Sequence, residues 1–193
     1  MTNAITASGW AYVLILGIAF LDSFFPVVPS ETAVITGGVL AAAGDLSLTL
    51  VLAAAAGGAV GGDNFTYGLG RLFGDRLSRT LFRGARGQRT LGWARRVLAD
   101  RGPTLIVGAR FIPGGRTATT FTSGLTEYPW RRFFVLVLVA GVGWALYAGL
   151  LGYAGGKTFE HQTWKALLLA LGIAATVTIA IEAARYVRGA RRA

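Results

Sequence analysis

Long stretches without a single charge set the limits on what this chain can become. Residues 1–21 carry none, residues 133–156 carry none, and residues 46–69 are interrupted only by Asp63. A helix needs about 20 apolar residues to cross the roughly 30 Å of bilayer hydrocarbon. These runs predict transmembrane helices over residues 9–25, 46–69 and 133–156. A shorter run, residues 166–181, extends through Trp164 and Tyr186 to make a fourth. Charged residues form only 15 % of the chain, against about 25 % in an average globular protein. A water-soluble enzyme and a disordered chain are both excluded by that balance. With no cysteine, thiolate catalysis and cysteine metal sites are excluded too. The one histidine, His161, lies in a linker between Glu160 and Gln162 and reads as solvated. No basic n-region or small-residue cleavage site marks the N-terminal run, which therefore reads as uncleaved.

Two apolar segments fit a full span poorly. Residues 26–43 begin Pro26-Val27-Val28-Pro29-Ser30-Glu31, and residues 103–125 contain Arg110-Phe111-Ile112-Pro113-Gly114-Gly115-Arg116. Proline and paired glycine break helices, and charges are costly in lipid. Broken backbone at membrane depth survives only where protein or a water-filled cavity surrounds it, so both segments are expected as re-entrant hairpins. The distribution of arginine agrees. Nine lie between Arg71 and Arg101 and four follow Ile181. Cytoplasmic loops carry the excess of basic residues. Four spans plus two re-entrant segments put both basic regions, and both termini, in the cytoplasm. The expected fold is thus an all-α polytopic membrane protein in one domain over residues 1–193. Its first half is residues 1–70, its basic cytoplasmic segment 71–101 and its second half 102–193.

The two broken segments resemble each other. Pro29-Ser30-Glu31-Thr32-Ala33 aligns with Pro113-Gly114-Gly115-Arg116-Thr117-Ala118 once one glycine is allowed as an insertion. By the topology above they enter from opposite sides, the pattern of an inverted repeat whose broken elements meet around a transport site. Asp22, Glu31, Arg110 and Arg116 are the ionisable residues this arrangement places deepest. As a set they are neutral, which lowers the desolvation cost of each. Arginine's planar fork suits a phosphate group, making Arg110 and Arg116 the candidate phosphate ligands. A carboxylate removed from water can exchange protons near neutral pH, making Asp22 and Glu31 the candidates for coupling or gating. Pro26, Pro29, Pro113, Gly114 and Gly115 shape the breaks. Asp63, Tyr67 and Thr117 are candidates to line a cavity, Asp63 equally a structural partner for Arg71. Arginine fork and protonatable acid together are the minimum equipment of a proton-linked carrier for a phosphorylated lipid. Substituting Arg116 by alanine is then expected to abolish phosphate-lipid binding while leaving the chain folded.

Between Arg71 and Arg101, apolar residues recur at helical spacing: Phe73, Leu77 and Leu81, then Leu91, Ala94 and Leu98, with Trp93 and Val97 alongside. Gly84 and Gly87 mark a break. Two amphipathic helices against anionic lipid headgroups fit here, beside the alternative of a basic loop that sets topology and has no specific ligand. No recognition motif supports nucleic-acid binding. The glycine pairs Gly57-Gly58 and Gly61-Gly62 are expected to serve close helix packing. No cofactor or metal is called for, and a homo-oligomer stays open.

The motifs resemble a known family. Phe24-Phe25-Pro26-x-x-Pro29-Ser30-Glu31 is similar to the N-terminal signature of the DedA family, also called the SNARE-associated or VTT-domain family. Gly62-Asp63-x-x-x-Tyr67-x-x-Gly70-Arg71-x-x-Gly74 and Arg110-Phe111-Ile112-Pro113-Gly114-x-Arg116-Thr117 resemble its next two blocks. Gly124, Arg132-Phe133, Gly141, Trp144 and Gly152-Tyr153 follow in the same order, so the resemblance covers about residues 20–156. It implies a bacterial inner-membrane protein with two opposed re-entrant hairpins. It also implies lipid transport: recycling of undecaprenyl phosphate, or flipping of phosphatidylethanolamine, or phospholipid scrambling. The family's two acids map to Asp22 and Glu31 and its two arginines to Arg110 and Arg116. An undecaprenyl-phosphate flippase is the leading expectation. A phosphatidylethanolamine flippase or scramblase is second, a proton-coupled exporter of small cations or drugs third, and an enzyme last.

Overall fold

The structure, a computed structural model, describes residues 2–25, 28–80, 84–112 and 114–158. Every regular element among them is helical. Helix α1 runs Thr2–Asp22, α2 Ser30–Ala43, α3 Leu48–Thr80, α4 Ala85–Gly108, α5 Gly115–Leu125 and α6 Trp130–Thr158. A 3-10 turn, Ala109–Phe111, lies between α4 and α5. Within α3 and α6, Leu48–Gly74 and Trp130–Thr158 are long and apolar enough to cross a membrane.

The ends of these helices follow from local chemistry. Helix α1 stops four residues before Pro26, a residue with no N–H to offer the Asp22 carbonyl. Helix α2 closes with Gly44 in the left-handed region at φ 90°, its N–H returning to the Ala41 carbonyl at 3.2 Å. Helix α4 is kinked at Arg101 (φ −127°, ψ 17°), just before Pro103. At the second break Gly114 adopts φ 70°, which an L side chain rarely tolerates, and so turns the chain into the first turn of α5.

Each expected hairpin resolves into a break followed by one short helix. At about 1.5 Å per residue, the 14 residues of α2 and the 11 of α5 are too short to cross the hydrocarbon alone. Pro26 and Pro113 lie outside the described residues, as do the fourth expected span, residues 166–181, and His161.

The basic segment departs from expectation. Helix α3 does not end near Leu69; it continues unbroken to Thr80, so Phe73 belongs to the long helix and not to a separate amphipathic one. Helical hydrogen bonding carries on past the point where the sequence turns polar. Leu72 and Phe73 are exposed there. Gly84, with extended backbone, stands at the N-cap of α4, while Gly87 is already helical. On α4, Leu91 and Leu98 are buried against the bundle and Trp93 is exposed.

Helix α3 is the axis of the bundle, contacted by α1, α2, α5 and α6. Helix α2 packs mainly on α6, and α5 on α3, so each short helix leans on the long helix of the other half. One apolar core joins Ile15, Val34, Ile35, Val51, Ala55 and Ala148; a second joins Val60, Tyr67, Leu98, Ile106, Phe133 and Val137. The α3–α5 crossing is so close that a Cβ on Gly124 would collide with the Tyr67 carbonyl, and one on Gly70 with the Phe121 carbonyl. Backbone cannot yield as a flexible side chain does. Gly124→Val should therefore destabilise the protein by at least about 1–3 kcal/mol, the usual penalty for overpacking, read from its unfolding midpoint in detergent.

Candidate functional site

Two chain breaks and the middle of α3 meet at one buried cluster. The first break supplies Asp22 and Ser23 from the end of α1, and Ser30 and Glu31 from the first turn of α2. The second supplies Arg110 from the 3-10 turn, and Arg116 and Thr117 from the first turn of α5. Asp63 comes from near the midpoint of the 33-residue α3. Its side chain is 1 % exposed, and that of Arg110 3 %.

Asp63 holds both arginines. Arg110 Nη1 donates to its Oδ2 at 2.8 Å and Arg116 Nε to its Oδ1 at 2.7 Å. Arg116 spends its remaining nitrogens too. Nη1 donates to Asp22 Oδ2 at 3.0 Å, and Nη2 to the Ala59 carbonyl at 3.0 Å and to the Ser23 hydroxyl. Asp22 Oδ2 also accepts from Ser30 Oγ at 2.8 Å, and Thr117 Oγ1 donates to the Ser23 carbonyl at 2.9 Å. The two breaks are thereby tied directly to each other.

Arg110 is different. Its Nε and Nη2 are buried and have no hydrogen-bond acceptor among the described residues. Its guanidinium lies over the Trp144 ring at 5.7 Å, an attraction that leaves those in-plane donors unused. An orphaned buried donor costs about 1–3 kcal/mol, more when charged, so donors of this kind mark a place where an acceptor belongs.

The predicted residues sort accordingly. Asp22, Arg110, Arg116 and Thr117 come together. Glu31 does not pair with an arginine: it is half-buried, near enough to Asp22 for their charges to interact, and makes no ion pair among the described residues. Asp63 takes the place that Glu31 was expected to fill opposite the arginines. It also does not pair with Arg71, which is exposed about two turns further along α3. Tyr67 belongs to a core and not to a cavity. It is 3 % exposed, stacked on Phe133 at 4.7 Å, and donates its hydroxyl proton to the Tyr128 carbonyl at 2.6 Å. Pro29 and Gly114 stand at the N-caps of α2 and α5, and Gly115 packs against Ile112. Ser23, fully buried and in contact with Arg116, carries no sequence signal that would have singled it out.

Residues 28–154 match the VTT domain. The protein DedA of Escherichia coli strain K12 is 26 % identical over 194 residues, covering 95 % of this chain and 87 % of DedA. The inner membrane protein YohD of the same strain is 30 % identical over 152 residues, 73 % of this chain and 78 % of YohD. A Mycobacterium tuberculosis protein described as an uncharacterized membrane protein is 28 % identical over 184 residues, 93 % of this chain and 81 % of that one. No solved structure matches the chain. With the domain covering most of its length and its charged motifs gathered into one cluster, this chain belongs to the VTT-domain family, the membrane-protein family of DedA.

Proposed function

We propose that the protein carries undecaprenyl phosphate across the bacterial cytoplasmic membrane, with Arg110 as the residue that takes the phosphate. The observation behind this reading is the pair of donors on a buried guanidinium, Nε and Nη2 of Arg110, that have no acceptor among the described residues. Side by side in one plane, they suit two oxygens of a phosphate monoester. The cluster around it is a neutral set of two aspartates and two arginines. A phosphate can enter such a setting without first displacing an ion pair. Arg116, its nitrogens already engaged, holds the frame on which Arg110 is presented. That division differs from the sequence reading, in which both arginines bind phosphate.

Glu31 supplies the proton chemistry in this reading. Asp22 is committed to Ser30 and Arg116, whereas Glu31 has no ion-pair partner among the described residues and stays half-buried at the start of α2. Helices α2 and α5 act as the re-entrant elements, and both termini and the basic segment face the cytoplasm. Glu31 also favours a second reading. An acid beside Asp22 that makes no ion pair among the described residues suits phosphatidylethanolamine, whose ammonium group it would pair.

Translocation in proteoliposomes tests the proposal, with labelled undecaprenyl phosphate and phosphatidylethanolamine compared side by side, with and without a proton gradient. Arg110→Lys keeps a positive charge beside Asp63 but loses the fork. It should slow undecaprenyl phosphate by about 100-fold, the worth of one or two charge-assisted hydrogen bonds. Undiminished transport by a folded Arg110→Lys protein would remove Arg110 from the site. Equal movement of both lipids by the unaltered protein would establish the scramblase reading. No movement of either would turn attention to cation export through Glu31.

A further inference from the structure

Four glycines lie within one stretch of α3, and only two of them are used in packing. Gly58 and Gly62 meet the backbone of α1 at Leu16 and Phe20. Gly57 has nothing within 4 Å of where its Cβ would stand, and Gly61 is exposed with only the Phe20 ring at 3.6 Å. Both line a groove of about 510 Å³ between α3 and α6, walled by Val60 on one helix and Phe134 and Leu138 on the other. One end is closed by Trp130 Nε1 donating to Asn64 Oδ1 at 3.0 Å. The cluster lies behind the Val60 wall, not at an end of the groove. A Cβ on Gly141 would stand 3.0 Å from Val60 Cγ2 and 3.6 Å from Arg110 Nη2, so only this one small residue separates the groove wall from an unpartnered donor.

From these observations we infer that the α3–α6 groove is the slot for the hydrocarbon chain of the phosphate lipid whose headgroup meets Arg110. The inference rests on the reading above. The helices forming the walls are the two described ones long and apolar enough to span the bilayer, which in this reading sets the groove in hydrocarbon. Lipid tails are as apolar as the groove, which means that it gains little affinity from a hydrophobic effect. Its value is geometric. A headgroup that leaves the interface must bring its chain along, and a slot beside Arg110 lets the chain stay in hydrocarbon while the phosphate goes inward. An apolar surface with a buried cation behind its wall fits an amphiphile with an anionic head.

Gly57→Leu fills the slot where there is room for a side chain, and Gly143→Leu, also with nothing within 4 Å, adds the same bulk to α6 outside the groove residues. In proteoliposomes, Gly57→Leu should slow undecaprenyl phosphate by at least about tenfold, a typical penalty for forcing a chain past added atoms, and Gly143→Leu should not. Undecaprenyl phosphate with a diazirine in its chain should crosslink to Phe134 and Leu138 in the unaltered protein, and no longer in Gly57→Leu. If Gly57→Leu does not fold, Leu138→Trp blocks the same groove from α6. Normal transport and crosslinking by a blocked groove, equal losses in both glycine variants, or equal crosslinking by a chain-labelled phosphatidylcholine would each overturn the slot. Those results leave Arg110-dependent transport standing. No transport of phosphate lipid by the unaltered protein would overturn the function and the slot together.

Discussion

Asp63→Ala is expected to be among the most damaging single substitutions in this protein, costing about 3–5 kcal/mol of stability or abolishing the folded state. The aspartate is the common acceptor of Arg110 and Arg116, so its loss leaves one guanidinium with no partner and the other with half its ionic contacts. A buried charge deprived of its partner costs far more than the pair contributed while intact. The midpoint of denaturant unfolding in detergent micelles measures the effect. The decisive comparison is a double variant. Asp63→Asn with Arg110→Met removes a positive and a negative charge together, and it should recover part of the stability that Asp63→Asn alone loses. If the two single losses simply add, the aspartate acts through its shape and not through the charge pair.

The second large effect separates two residues of the same type. Arg116→Lys should lose folded protein, while Arg110→Lys stays folded and loses transport. An ammonium has three donors on one nitrogen and cannot span the separate partners Asp63, Asp22, Ser23 and the Ala59 carbonyl. Arg116 is the clasp between the two chain breaks, and with lysine there the clasp opens. Replacement by alanine removes more still, so the expectation that Arg116→Ala would remain folded gives way to one of instability. Yield of monodisperse protein on size exclusion, measured for both variants under one protocol, checks this. Well-folded Arg116→Lys protein with normal stability would show that the clasp is not needed.

Much of this arrangement is legible in the residue pattern because lipid is an unforgiving solvent. Uncharged runs marked α3 and α6, since a span tolerates few charges. Prolines and paired glycines marked the two breaks. Arg110 and Arg116 stood out because a charge among apolar residues needs a reason. Asp63 was seen but misplaced. Hydropathy shows where a chain turns polar, near Arg71, and not how far its hydrogen bonding runs, which is at least to Thr80. A helix taken as ending near Leu69 puts Asp63 toward its end; the actual helix puts it near the middle. The pairing of the acids was out of reach for a different reason. Asp22 and Glu31 are nine positions apart, but whether either meets an arginine depends on how α5 docks on α3, through contacts such as Gly70 with Phe121 and Gly124 with Tyr67 that have no local signature.

The exchange of short helices between the halves has a consequence for synthesis. A ribosome delivers α1, α2 and α3 to the membrane before any of α5 or α6 exists. Until then the apolar and glycine face of α2, with Ile35 and Gly38, lacks the long helix it packs on. Asp63 meanwhile waits for arginines that lie 47 and 53 residues further along the chain. At about 5–20 residues per second that interval is about 2–10 s. For that time a nascent carboxylate must remain near the interface or be sheltered by the insertion machinery. The first half is thus a client before it is a structure, and the arrival of Arg116 closes its period of dependence.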